Sequence, residues 1–312
     1  VNDTGKKMIK ALGGFKGPLI AAAIVIVILL GLFAYSGLWP PLVVVESESM
    51  QHSNTTSYIG VIDTGDMVIP KKISSLSEVR TYVSSLNDGY KTYGDYGDVV
   101  IYHRDGNVLL TPVIHRAIVE LVYNSTSNSF DIPSLASVPD YKWSVNGVHS
   151  GIWYDLTTSL EIYNVGYQNQ TVIVSLSNIL DYYSANNIQP HGGLITKGDH
   201  NSAADQSSGI AHQPVILDWI VGEARGEIPW FGLIKLWLGG NMPALTPENS
   251  KTDLILTIVV VVAIPVTLDI TDYVLRRRGI DMWGRVRARL GMKPKKPEAD
   301  EEPKKPTRKK KK

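Results

Sequence analysis

The chain of 312 residues contains no cysteine, which excludes a disulfide framework, a zinc–thiolate site and a cysteine nucleophile. It has no glycine repeat, and 44% of its residues are hydrophobic, so neither a collagen-like nor a wholly disordered chain is expected. A compact histidine metal motif is also missing: His191, His200 and His212 are nine and twelve residues apart. No metal and no cofactor is therefore expected. Net charge is scarce too, at +1 from 31 basic and 30 acidic residues. That balance hides a segregation. Residues 1–17 and 276–312 hold 20 basic and 6 acidic residues, whereas residues 18–275 hold 11 basic and 24 acidic ones. Basic ends could suit a nucleic acid, but the apolar runs beside them offer another reason for the charge.

Residues 18–35 carry no charge, and Leu38 and Trp39 extend the run. A helix crossing a bilayer needs about 20 apolar residues, so a transmembrane helix over 18–39 is expected. Pro40-Pro41 follows it in place of a small-residue cleavage site, which disfavours a cleaved signal peptide. A second run, residues 254–268, contains Pro265 and predicts a second span over 252–275, with a buried strand or core helix as the alternative. Lys6, Lys7, Lys10 and Lys16 precede the first run, and Arg276, Arg277 and Arg278 follow the second. Positive residues stay on the cytoplasmic side. The chain is thus expected to be a multi-pass cell-membrane protein with both termini cytoplasmic and residues 40–250 outside. The basic tail, 276–312, is expected to be disordered and drawn to anionic lipid, with no role for nucleic acid.

Between the two runs the pattern is mostly β. Residues 42–45, 67–69, 99–103, 108–111, 114–122, 160–164 and 171–176 are rich in β-branched side chains and bounded by turn formers. Asp88-Gly89, Asp105-Gly106 and Asn146-Gly147 mark turns. Residues 76–86 and 177–186 look helical. The segment from about 123 to 188, rich in Ser, Asn, Tyr and Trp, predicts a subdomain inserted between two pieces of a common core. Sequons at Asn54, Asn124 and Asn169 all fall in the part expected outside.

Residues 43–52 read VVVESESMQH, placing Ser49 about a dozen residues past the first run. A serine needs a neighbouring base to become a nucleophile. Downstream, residues 111–118 (TPVIHRAI) put His115 in a strand-like run beside Arg116, and residues 195–205 (ITKGDHNSAAD) offer Asp199 and Asp205. Lys71, Lys72 and Lys197 are alternative bases for a Ser-Lys dyad. A non-catalytic surface receptor or adhesin would share the same anchored, β-rich layout.

The ordered set Ser-x-Ser-Met, Gly-Asp-x-Val, Ile-His-Arg and Thr-Lys-Gly-Asp-x-Asn-x₃-Asp resembles type I signal peptidases, in particular the archaeal and endoplasmic-reticulum branch that uses histidine as base. The matching blocks cover roughly residues 40–70, 97–118 and 193–235, the last including a segment, 222–232, that resembles the family's closing strand. The resemblance implies a mostly β catalytic domain outside the membrane. It implies Ser49 as nucleophile and His115 as general base, with Asp205, or Asp199, orienting the histidine. The Ser49 backbone N–H and the Ser47 hydroxyl would form the oxyanion hole. Val44, Val45 and Glu46 would pair with an extended substrate. The implied substrates are secretory preproteins delivered at the bilayer, with the translocation machinery as a further partner. Two positions depart from the family pattern: Glu48 stands where glycine is usual and His52 where proline is usual. His200 stands where the family often has asparagine.

Overall fold

The computed structural model describes residues 16–240, 243–278 and 280. The expected cytoplasmic N-terminus and most of the expected tail lie outside the described residues. The chain divides into two compact units, residues 1–254 and 255–312.

The first unit opens with helix α1 (Lys16–Ser36), followed by β1 (Val43–Val44) and β2 (Met67–Lys71). Next come the short helix α2 (Tyr82–Ser85), β3 (Lys91–Thr92), β4 (Asp95–Tyr96), β5 (Val99–Tyr102), β6 (Val113–Asn124) and β7 (Ser129–Asp131). Then follow β8 (Trp143–Val145), β9 (Ser159–Val165), β10 (Gln170–Ser175), α3 (Leu176–Asn186) and β11 (Gly193–Lys197). The elements α4 (Asp205–Ser208), β12 (Ile220–Ile228), α5 (Gly232–Leu238) and α6 (Glu248–Arg277) complete the order. The architecture is mostly β, built on a curled antiparallel half-barrel with strand order β1-β2-β12-β5-β6-β11 and β7 hydrogen-bonded to β6.

Local sequence explains the ladder. The uninterrupted apolar run of β5, Val-Val-Ile-Tyr, is buried at all four positions, as suits a central strand covered on both faces. It pairs with β6 on one side and β12 on the other. Pro70 is tolerated in β2 because β1 pairs only with Met67 and Val68, leaving that end of β2 with a free side. Asn146-Gly147 forms the two-residue turn between the bridged pair Val145 and Val148, both residues taking positive φ.

The inserted segment forms its own sheet, β10-β9-β8, but not a separate core. Trp143, Leu160 and Val172 pack in one cluster with Tyr82, Ile118, Leu121 and Ile195 of the surrounding domain. Two local expectations are corrected. Residues 76–86 are not one helix: a 3-10 turn (Leu76–Glu78) is separated from α2 by Thr81, which caps the Ser84 N–H, while the Arg80 N–H donates to Asp98 at 2.8 Å. Residues 108–111 are not a strand, because the positive φ of Asp105 and Gly106 turns the chain out and leaves Val108, Leu109 and Leu110 exposed.

The apolar helices differ in what they show. The segment Glu248–Leu275 is long and apolar enough to cross a membrane, and the apolar part of α1 among the described residues, Ala22–Ser36, is shorter. Helix α1 ends at Ser36, short of the expected residue 39, where Gly37 turns the chain with φ +69°. The start of α6 is tied down within the first unit: Asn249 accepts from the Ser57 N–H at 2.7 Å and donates to the Ser57 carbonyl at 3.2 Å.

Several carboxylates in the first unit are held near their neutral form. Burial pushes Asp66 up to about 7, against two backbone N–H groups that donate to it at 2.8 Å. Burial, then the neighbouring Asp98 carboxylate, pushes Glu223 up to about 7 against the attraction of Arg225. Both stay protonated in the folded chain where the unfolded chain has ionised them. Their contribution to stability is therefore full below their unfolded pKa, about pH 4, and is lost as pH rises through about 7. The thermal midpoint is expected to fall between about pH 5 and about pH 8, and Glu223→Gln to flatten that slope. A calorimetric pH series on both proteins checks this, and a wild-type midpoint that rises over the interval contradicts it.

Candidate active site

Consecutive residues of a strand point to opposite faces of the sheet, so His115 and Arg116 on β6 cannot share one carboxylate. The structure gives each its own. His115 lies opposite Val100 in the ladder, and its Nδ1 donates to Asp205 at 2.7 and 2.8 Å. Asp205 is fully buried at the start of α4 and also accepts from the hydroxyls of Tyr102 at 2.7 Å and Thr196 at 2.6 Å. Burial opposes the charge on Asp205, but the attraction of His115 and these hydrogen bonds outweigh it, and the pKa lies below the ordinary value. An ionised Asp205 fixes the tautomer that leaves His115 Nε2 free to accept a proton.

Arg116 turns to Asp199. Its Nε and Nη2 donate to the two carboxylate oxygens at 2.7 and 2.6 Å, and its Nη1 lies 3.0–3.2 Å from the carbonyls of Thr92, Asp95, Tyr96 and Gly97. Burial works against the Asp199 charge, yet this bidentate partner holds the pKa down to about 2. His52 Nε2 makes a third contact with Asp199, at 3.1 Å. Asp199 thus ties the segment after Ser49 to β6, and of the two expected acids it is Asp205 that lies on the histidine.

Ser49 sits in a turn closed by the Gln51 N–H donating to the Glu48 carbonyl at 3.1 Å. The turn is pinned below by Met50, which is buried with Val45, Ile62 and Val68. Ser49 and His115 line one cleft of about 410 Å³, together with Val44, Ser47, Arg104, Ile114 and Asn201 among others. Gly198 shows how closely the two segments approach. A Cβ there would lie 2.5 Å from the Ser49 carbonyl oxygen and 2.8 Å from His115 Nε2, so only glycine fits. The Ser49 hydroxyl has Ser47 Oγ as its hydrogen-bond partner, at 3.3 Å, and no bond from Ser49 Oγ to His115 forms among the described residues. The Ser49 backbone N–H likewise meets no acceptor among the described residues, which leaves a donor for an incoming oxygen.

The expected substrate strand is corrected in part. β1 is an edge of the sheet. The Val45 N–H and carbonyl are both used by Asp66 and Gly65, at 2.9 and 3.0 Å, and its side chain is in the core. Alternation then turns the main-chain groups of Val44 and Glu46 outward, so these two, and not Val45, can pair with an added strand. The Glu46 side chain meets Lys235 at 2.9 Å.

The alternative bases lie elsewhere. Lys71 sits over the Tyr35 ring, 5.6 Å from its centroid, at the end of β2 away from Val44. The Lys72 N–H donates to the Ser36 carbonyl at 2.9 Å. Lys197 is buried, and its Nζ donates to the carbonyls of Gly198 and Asp199 at 3.0 and 3.3 Å. Burial pulls its pKa below the ordinary lysine value. No lysine lines the cleft. Among the described residues no group of three metal-ligating side chains forms.

Sequence reasoning missed Tyr102, Thr196 and the anchoring role of Arg116. An arginine inside the apolar run VIHRAIV was the available signal, since a charge there needs a buried partner. Comparison with protein-family models, with curated proteins and with solved structures returned no match.

Asp199→Ala leaves the buried Arg116 cation unpaired and is expected to cost ~3–5 kcal/mol of stability. Denaturant unfolding checks this, and a loss below about 1 kcal/mol would show that the pair does not anchor the fold.

Proposed function

We propose that the chain is a membrane-anchored serine endopeptidase that removes signal peptides from secreted preproteins, in the manner of the type I signal peptidases its motifs resemble. The observation that carries the proposal is a buried Asp205–His115 pair whose histidine shares one cleft with Ser49. Ser49 gives its proton to His115 Nε2 as it attacks the scissile carbonyl. The oxyanion is met by the Ser49 N–H and the Ser47 hydroxyl. Asp205 stabilises the imidazolium, which then protonates the leaving amine, and a water activated by His115 releases the acyl group. The Ser49–His115 bond closes when substrate fills the cleft, as catalytic hydrogen bonds commonly tighten on binding. An extended substrate adds to the β1 edge through Val44 and Glu46.

On this proposal both apolar helices cross the bilayer, the termini are cytoplasmic and the β domain is outside. Exposed Val108, Leu109 and Leu110 lead into Thr111 and Pro112 of the cleft wall, which suits a cleft held against lipid. Tethering at that depth supplies the proximity to a membrane-held signal segment that a soluble protease lacks. Lys197 does not line the cleft and its Nζ is bound to two backbone carbonyls, which weighs against a Ser-Lys dyad.

Ser49→Ala and His115→Ala are each expected to abolish cleavage of a model preprotein while the chain stays folded, and Asp205→Asn to lower kcat by on the order of 10³–10⁴. Sequencing the new N-terminus after incubation with each variant measures this. Near-wild-type activity in either alanine variant would sink the assignment, and loss of activity in a Lys197→Met variant alone would move it to a dyad.

A further inference from the structure

The turn between β9 and β10 of the inserted sheet reaches the segment that carries Ser49. Its base is held to the domain by Tyr82, whose buried ring places the hydroxyl 3.2 Å from the Gly166 N–H and 3.3 Å from the Asn164 carbonyl. At the tip, the Tyr167 ring stacks on His52, with centroids 4.2 Å apart and planes 21° from parallel. The Tyr167 hydroxyl lies 3.3 Å from the Gln51 carbonyl and 2.9 Å from His200 Nδ1. One proton order satisfies both, with His200 donating to the tyrosine oxygen and the tyrosine donating to Gln51. Gln51 and His52 follow Ser49 by two and three residues. The His200 backbone N–H in turn donates to the Ser49 carbonyl at 2.9 Å. Tyr167 therefore joins the chain just after Ser49 to the His200 segment that binds the Ser49 carbonyl.

We propose that Tyr167, supplied by the inserted subdomain, is a positioning residue that holds Ser49 in register with His115. A non-proline residue at position 52 leaves that turn with backbone freedom that a proline ring would remove. The stack on His52 and the His52–Asp199 bond restrain it instead. Two of the three departures from the family pattern, His52 and His200, touch Tyr167, so they belong to one device joined to the insert. Tyr167 itself does not line the cleft that holds Ser49 and His115, so its effect falls on the geometry of attack and not on substrate contact.

This inference rests on the peptidase function proposed for Ser49, and the test separates the two. Full-length wild type, Tyr167→Phe, Tyr167→Ala and His200→Leu are assayed on a model preprotein in detergent, with kcat and KM determined per folded molecule. Tyr167→Ala is expected to lower kcat about tenfold or more with KM within about twofold of wild type. Tyr167→Phe keeps the stacked ring and should recover part of that loss, and His200→Leu should resemble Tyr167→Phe. The phenylalanine variant changes one oxygen, so it keeps the test valid even where the alanine variant is less stable. Wild-type kcat in both tyrosine variants overturns the inference. A raised KM at constant kcat also overturns it, by making Tyr167 a substrate contact. A wild type that cleaves no preprotein removes the peptidase proposal itself.

Discussion

A guanidinium cannot shed its proton when it is taken out of water, so a buried arginine dictates what surrounds it. Arg116 is 1% exposed. Its demand is met by the Asp199 carboxylate and by the carbonyls of five residues in the β3–β5 region. Because the arginine is the strand neighbour of His115, the ion pair fixes β6 just where the histidine leaves the opposite face. Because Asp199 also holds His52, the same pair reaches the turn of Ser49. Loss of this pair would loosen the histidine and the serine together.

The division of labour between the two aspartates follows from alternation. Residues 115 and 116 face opposite ways, and Asp199 and Asp205 are separated by enough chain to serve both sides. Their environments then differ in kind. Asp199 balances a permanent cation, whereas Asp205 faces a group that can gain or lose a proton, with two hydroxyls completing its shell. The second arrangement is the one that can stabilise a transient imidazolium.

Much of the framework was legible from local pattern. The apolar run of β5, the long β6 and the helix α3 have periodicities that tertiary contacts did not override. What was hidden depends on partners distant in sequence. Residues 76–86 have helical spacing, but the Asp98 carboxylate captures the Arg80 N–H and breaks the run. Residues 108–111 are β-branched or apolar, yet a left-handed Asp105 directs them outward. The short strand β11 opens at Gly193 directly after Gly192, and the tight approaches of these two glycines to Leu121 and Val215 are revealed by no local pattern. In the site, the motif residues could be picked out, but the assignment of each acid required the sheet. Nothing near Tyr167 in the chain signals that it meets Gln51, His52 and His200. The near-neutral total charge resolves in the same way, into basic ends and an acidic domain that buries several carboxylates close to their neutral form.

On the proposed mechanism Ser49 forms a covalent bond with the substrate. Acid quenching during turnover of a model preprotein, followed by digestion and mass spectrometry, tests it directly. A substrate-derived acyl adduct is expected on the peptide that contains Ser49, absent from Ser49→Ala. Steady cleavage with no adduct there, or an adduct on another residue, would contradict it.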